Sequence, residues 1–277
     1  MCNGKRPVLC SEAFDAVGSP YGIHMDRYNR ILTKCKAALR PLRAEMGLLD
    51  PYVLATSHAE FRIEGHGDLR IEDELGQGMY GKVFAFFGNS GILLKGAKSD
   101  HGKDDLCLEL AVISALDGLN GGVPRIHKIE KIPSSLKSLF RGRVLVMDRR
   151  GDAEWSDIPM VESREFNMRF SRLIEIVRDM HDRGFVHNDI KPMNIRISTT
   201  YPAAVTLIDF DQAEPFIDSR GFHLGSASRI KDMEGILAIA VATEGPKTWL
   251  PEFYQDVKSL GLTDRPNYEK WIAFFRR

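Results

Sequence analysis

From Met25 to Met46 apolar residues recur three or four positions apart, at Tyr28, Ile31, Cys35, Leu39, Leu42 and Met46, the repeat of one face of an amphipathic helix. Its other face carries Arg27, Arg30, Lys34 and Arg43 and reads as a solvated surface. From Leu69 to Lys95 the repeat gives way to short β-rich runs, L-R-I-E-D-E-L, K-V-F-A-F-F and G-I-L-L-K, punctuated by glycines, which predicts an antiparallel meander. A helix is expected from about Lys103 to Leu116, then strands around Arg125–Lys131 and Arg143–Met147. Beyond Asp152 the period is helical again: Phe166, Phe170, Leu173, Ile174, Val177 and Met180 line one face of a helix that Gly184 can end. A small, mostly β region therefore precedes a mostly helical one. Residues 1–20, mixing Gly, Pro and polar side chains, read as a loose lead-in, and no internal repeat is visible.

Composition narrows the function classes. The 277 residues, 43% of them hydrophobic, suffice for one large domain or two smaller units with real cores. Lys plus Arg and Asp plus Glu both number 38, so no net field favours nucleic acid or an anionic membrane, and neither is expected as a partner. The four cysteines (Cys2, Cys10, Cys35, Cys107) form no C-x-x-C pair, which argues against a zinc site and a disulfide framework and for a reducing, cytoplasmic setting. The first residues lack a long apolar stretch and no run of about 18 apolar residues occurs, so neither a secretory signal nor a membrane span is expected.

Chemistry concentrates in three places. Gly76, Gly78 and Gly81 form G-x-G-x-x-G between two strand patterns, where glycines let backbone N–H groups close over phosphate oxygens. A dinucleotide site would need a helix after the glycines; here Val83 and Phe84 continue a strand, which favours a hairpin. Lys95 closes an apolar strand fourteen residues after Gly81, a costly position unless a carboxylate meets it, and Glu109 on the next helix can. Third, F-V-H-N-D-I-K-P-M-N-I places Asp189 to orient a hydroxyl and accept its proton, Lys191 to neutralise charge on a transferring phosphoryl group, and Asn194 to hold a metal ion. Twenty residues after Asp189, V-T-L-I delivers D-F-D, with Asp209 as a second metal ligand; hard oxygen ligands of this kind suit Mg²⁺ on nucleotide phosphates. His187, with no partner evident in the sequence, reads as a structural histidine.

This ordered set resembles the eukaryotic-type protein kinase superfamily over about Leu69 to Arg277. The resemblance implies an α+β, bilobal kinase-like fold: an N-terminal extension over 1–68, a small antiparallel β lobe and hinge over 69–151, and a shortened, mostly helical lobe over 152–277. It implies ATP as cofactor with Mg²⁺, Mn²⁺ being the alternative metal, and a protein substrate. By that resemblance Asp189 is the catalytic base and Lys191 its phosphate-binding companion. Asn194 and Asp209 are the metal ligands, and Lys95, paired with Glu109, binds the α and β phosphates. Gly76, Gly78, Gly81 and Val83 cover the nucleotide. The segment V-L-V-M-D-R-R-G is similar to a kinase hinge, with Met147 as gatekeeper and the backbone of Asp148 and Arg150 facing adenine. S-R-I-K-D-M-E-G-I-L resembles the casein-kinase-1 and vaccinia-related kinase pattern, making Asp232 the residue that braces the catalytic loop.

The departures from that pattern carry information too. Asn188 replaces the arginine that usually precedes the catalytic aspartate, which implies that loop phosphorylation is not the switch. Asp211 replaces the glycine of D-F-G, Leu93 stands where a small alanine usually lies over adenine, and Arg196 where an apolar residue usually lies beneath it. Only 22 residues separate Asp209 from Asp232 and no A-P-E occurs, so the peptide-docking platform is shortened or rebuilt. That compactness is similar to effector kinases that bacterial pathogens inject into host cells, which would make the substrate a host protein. Protein Ser/Thr kinase is the favoured activity because Lys191 lies two residues after Asp189. A small-molecule kinase of the aminoglycoside or choline kinase type is the alternative, and a pseudokinase scaffold ranks last.

Overall fold

The computed structural model describes residues 26–33, 60–63, 67–77, 81–98, 100–131, 140–157, 163–201, 203–217, 223–224, 229–243 and 247–277. Gly78, the helix expected beyond residue 33, the lead-in over 1–20, and Ser219, Ser226 and Ser228, the serines between Asp209 and Asp232, lie outside the described residues. Helix α1 covers residues 26–33. Strands β1 (Glu60–Ile63), β2 (Gly67–Gln77), β3 (Gly81–Phe86) and β4 (Asn89–Ala97) follow, then helix α2 (Asp100–Leu116) and strands β5 (Ile126–Lys131) and β6 (Arg141–Asp148). These strands form one sheet in the order β1-β2-β3-β4-β6-β5, every pair antiparallel. The meander read from the sequence is therefore present, with β1 as an edge strand that the periodicity did not reveal.

The period-2 alternation of β3, β4 and β6 sorts their side chains onto two faces. Phe84 pairs with Leu94 and Leu94 with Val146, and these three pack with Phe86, Ile92, Phe140 and Val144 as an apolar cluster on one face. The intervening positions Val83, Lys95 and Leu145 are in register with one another, as are Ala85, Leu93 and Met147. A one-residue slip of β4 would exchange Leu94 for Lys95 in the apolar cluster, so the buried face fixes the register that delivers the lysine.

The remaining chain is mostly helical, with short strand pairs. Helix α3 (Arg164–His181) begins at Ser163, whose Oγ accepts a hydrogen bond from the Phe166 N–H at 3.2 Å. It stops before Gly184, which takes φ +86°, and the Gly184 N–H bonds back to the His181 carbonyl. The face expected from the sequence is buried, and so are Arg169, Ser171, Glu175, Ile176 and His181, because α3 is packed on more than one side. Strands β7 (Ala153–Glu154), β9 (Ile195–Ile197) and β10 (Val205–Leu207) form a three-stranded sheet, and β8 (Phe185–Val186) pairs with β11 (Glu214–Pro215). Helices α4 (Arg229–Ala242), α5 (Leu250–Lys258) and α6 (Tyr268–Phe275) complete the chain. Phe275 on α6 packs edge-on against Phe170 and Trp249, with centroids 4.9 and 4.8 Å apart, which seats α6 on α3.

At Gly235, α4 lies close against the 187–194 segment: a Cβ there would lie 2.5 Å from the Ile190 carbonyl oxygen, a backbone atom that cannot rotate away. Alanine would gain up to about 1 kcal/mol of helix propensity. Forcing α4 away from that backbone costs about 1–3 kcal/mol, so the clash wins. Gly235→Ala is therefore expected to lower the denaturant midpoint at unchanged m-value; a neutral or stabilised variant would mean that α4 does not abut Ile190.

Candidate functional site

The strand alternation that buries Leu94 turns Leu93 and Lys95 toward a cavity of about 330 Å³ bounded by the sheet, α2 and the 193–211 region. The Lys95 Nζ lies 2.8 Å from the Glu109 carboxylate and 2.7 Å from Asp209 Oδ1. Burial alone would lower the Lys95 pKa, but the two carboxylates outweigh it and hold the ammonium above its ordinary range. Two carboxylates share one ammonium. Burial is the larger influence on Glu109, and with the nearby Asp209 it raises that carboxyl against the pull of Lys95. Burial pushes Asp209 up as well, but Lys95 outweighs it and leaves this carboxyl below its usual value.

Asp209 adopts φ +65° and Asn188 φ +65°, a left-handed conformation that costs a non-glycine residue about 1–3 kcal/mol. Both are held in place by contacts from elsewhere in the chain. Lys95 fixes the Asp209 carboxylate, and the Phe210–Gln212 turn behind it packs against α2. The Asn188 N–H donates to Asp232 Oδ1 at 2.7 Å, and its Nδ2 donates to the Gln212 carbonyl at 3.1 Å and to Glu214 Oε1 at 3.0 Å.

Asp189, Lys191 and Asn194 converge beside the cavity. Asn194 Nδ2 donates to Asp189 Oδ2 at 2.8 Å and to the Asp189 carbonyl at 3.0 Å, and Lys191 Nζ lies 2.7 Å from Asp189 Oδ2. The hydrogen bond that Lys191 donates to the Asp189 carboxylate raises the Lys191 pKa and keeps it an ammonium. Gly76, Gly81, Val83, Lys95, Glu109, Met147, Asp148, Arg150, Asn194 and Asp209 all line the cavity, whereas Asp189 and Lys191 stand outside its lining and are tied to it through Asn194. The Asp148 side chain is engaged by His127 Nε2 at 2.6 Å and by Arg150, and the Asp148 N–H donates to the Arg125 carbonyl. On the opposite side Arg196 pairs with Glu154 at 3.0 Å, a polar floor beneath the pocket.

Beneath the site is a buried network that the sequence reading found only in part. Asp232 is fully buried and accepts from the backbone N–H groups of His187 and Asn188 and from His181 Nε2, at 2.7–2.8 Å. Since Asp232 needs that proton, neutral His181 carries hydrogen on Nε2, and Nδ1 accepts from the Tyr268 hydroxyl of α6. His187 has partners after all: Nε2 meets the Ile208 carbonyl at 3.0 Å, Nδ1 accepts from the Asp189 N–H, and the ring packs against Phe210. His181, Tyr268 and Gly235 escaped notice because their partners are remote in the chain, although a glycine inside an apolar helical run was a visible signal for Gly235.

No protein-family model matches the chain. The chain is similar to a probable serine/threonine-protein kinase of Dictyostelium discoideum, 25% identical over 272 residues that cover 73% of this chain and 52% of the relative. It thus spans about half the length of the curated relative it matches. That likeness supports a protein-kinase-like relationship, and the mixture of antiparallel sheet and helices is consistent with it. Among the described residues no helix is long and apolar enough to cross a membrane.

The His181 network sets a pH dependence. Burial, opposed only in part by Asp232, lowers the His181 pKa in the folded protein below the ordinary value near 6.5 that the unfolded chain keeps. The unfolded state therefore binds the extra proton, and the contribution is complete above about pH 6.5 and lost as pH falls below it. The unfolding free energy is expected to fall from pH 7 to 5, with His181 contributing at most about 1.4 kcal/mol per pH unit. His181→Gln should remove that share of the slope; an identical slope in both proteins would contradict the assignment.

Proposed function

We propose that the chain is an ATP- and Mg²⁺-dependent protein serine/threonine kinase of two-lobed form, moving the γ-phosphoryl group of ATP to a protein hydroxyl. One observation carries the reading: Lys95, Glu109 and Asp209 meet inside a single cavity, with Asp189, Lys191 and Asn194 tied together at its edge. The similarity to a protein named as a probable serine/threonine-protein kinase supports it. On this reading Lys95, kept charged by two carboxylates, meets the α and β phosphates. Asp189 orients the acceptor hydroxyl and takes its proton, and Lys191 neutralises charge on the moving phosphoryl group. Gly76, Gly81 and Val83 cover the nucleotide, and Met147, Asp148 and Arg150 edge the base.

The residues present fit a divalent cation of the magnesium type. The Asn194 amide nitrogen is committed to Asp189, which leaves its carbonyl oxygen as the donor, and Asp209 adds a carboxylate oxygen, a hard donor set. Asn194 and Asp209 would hold the ion, and it would supply positive charge to offset that of the phosphate groups.

The decisive experiment incubates purified protein and labelled ATP with protein substrates, aminoglycosides and choline. Label is expected in polypeptide; label in a small molecule would move the chain to the alternative class. Asp189→Ala should abolish transfer with the circular dichroism unchanged, and Asn194→Ala and Asp209→Ala should lose magnesium-dependent nucleotide affinity. Near wild-type turnover in the first, or unchanged affinity in both others, would overturn these roles.

Activation is proposed to need no loop phosphate. Asn188 already binds both Gln212 and Glu214 with a neutral amide, so a phosphoserine finds no cation at that position. Alanine at Ser219, Ser226 and Ser228 together should leave the rate within about threefold, well under 1.4 kcal/mol of barrier. A drop of about tenfold or more on phosphatase treatment, restored by rephosphorylation of those serines, would show that another cation performs this task.

A further inference from the structure

Helix α1 touches two parts of the site at once. Tyr28 is buried against Phe185, with ring centroids 5.6 Å apart, and belongs to the same apolar core as Val112 and Leu116 of α2. Phe185 opens β8, which leads directly into the 187–194 segment and pairs with β11 at Glu214 and Pro215. Glu214 accepts the Asn188 amide, and its charge, after burial, raises the Tyr28 hydroxyl pKa. Three residues on, Ile31 packs against that core and also against a separate cluster of Ala97, Leu106, Leu110 and Leu145. Leu106 and Leu110 belong to α2, on either side of Glu109 in the sequence.

We propose that α1 is an intramolecular brace, and that Tyr28 and Ile31 are positioning residues which hold α2 so that Glu109 stays on Lys95. The physical need is specific. A buried carboxylate such as Glu109 gains by swinging its helix outward into water whenever its partner slips, so the pair persists only if packing holds α2 inward. The Asp209 side of Lys95 is secured by the Phe210–Gln212 turn and Asn188, and α1 joins that side to α2 through Tyr28 at one end and Ile31 at the other. The catalytic part of this inference rests on the phosphoryl-transfer reading; the mechanical part does not.

The test uses the full chain. In Tyr28→Ala and Ile31→Ala, amide hydrogen exchange over residues 100–116 is expected to quicken by about tenfold or more while residues 164–181 keep their protection. Turnover should fall by about tenfold or more. Tyr28→Phe, which keeps the ring, should restore both readouts, and Arg30→Ala, on the exposed face of α1, should match wild type. Exchange that rises evenly over both helices, or not at all over 100–116, would overturn the brace and leave the kinase reading standing. Selective loosening of 100–116 in a protein that never transfers phosphate would keep the brace and remove the kinase reading. Should Tyr28→Ala fail to fold, Ile31→Val, one methyl group smaller, carries the same comparison.

Discussion

One ammonium group joins the parts of this molecule. Lys95 arrives on a sheet strand, Glu109 on the following helix, and Asp209 from a turn 114 residues after Lys95. An isolated charge in that position would be expelled to water or neutralised, so each partner confines the other two. The register of β4, the seating of α2 and the left-handed turn at Asp209 are consequently coupled: moving any one leaves a buried charge exposed to its own desolvation cost. The trio is costly to build for stability alone, since an apolar replacement of similar volume is often as stable. Its persistence is better understood as a means of holding a permanently charged ammonium at the cavity wall.

A second buried charge does comparable work on the other side. Asp232 gathers two consecutive backbone amides, those of His187 and Asn188, together with the His181 imidazole. Burial pushes its carboxyl up, but this set of donors outweighs burial and keeps it ionised. Pinning consecutive amides dictates the backbone direction at Asn188, which is what sustains φ +65° there. Tyr268 extends the network into α6, so a helix near the end of the chain reaches, by way of His181 and Asp232, to the residues beside Asp189.

What could be read beforehand follows from how local each signal was. The strands around Lys95, helix α3 and its stop at Gly184 were legible because period and punctuation are properties of a few adjacent residues. Glu109 was legible as a partner because a buried lysine demands one and few carboxylates follow within reach. Arg196 was legible as an anomaly in the pattern, but its ion pair with Glu154 depends on β7 lying beside β9, which no local pattern encodes. The His181–Tyr268 contact and the two-sided packing of Ile31 arise from elements far apart in sequence. The basic face of α1 reads as a solvated surface and the apolar face does the structural work, because charged residues on a solvated helix contribute little.

The neutral amide at position 188 has a consequence for how order is maintained near the site. An arginine there would be a charge awaiting a counter-charge, and the neighbouring segment would be ordered or loose according to whether one arrived. Asn188 instead spends its amide on the Gln212 carbonyl and the Glu214 carboxylate, both within the chain, while β8 and β11 pair immediately alongside. The charge of Glu214 also acts on the Tyr28 hydroxyl, so the same carboxylate that anchors this segment is felt by α1. Order here is supplied by contacts that fold with the protein, and on the proposed reading any control of activity would act by disturbing those contacts. On the proposed brace a further such contact is the seam between α1 and α2, where apolar packing from outside the sheet holds Glu109 on Lys95.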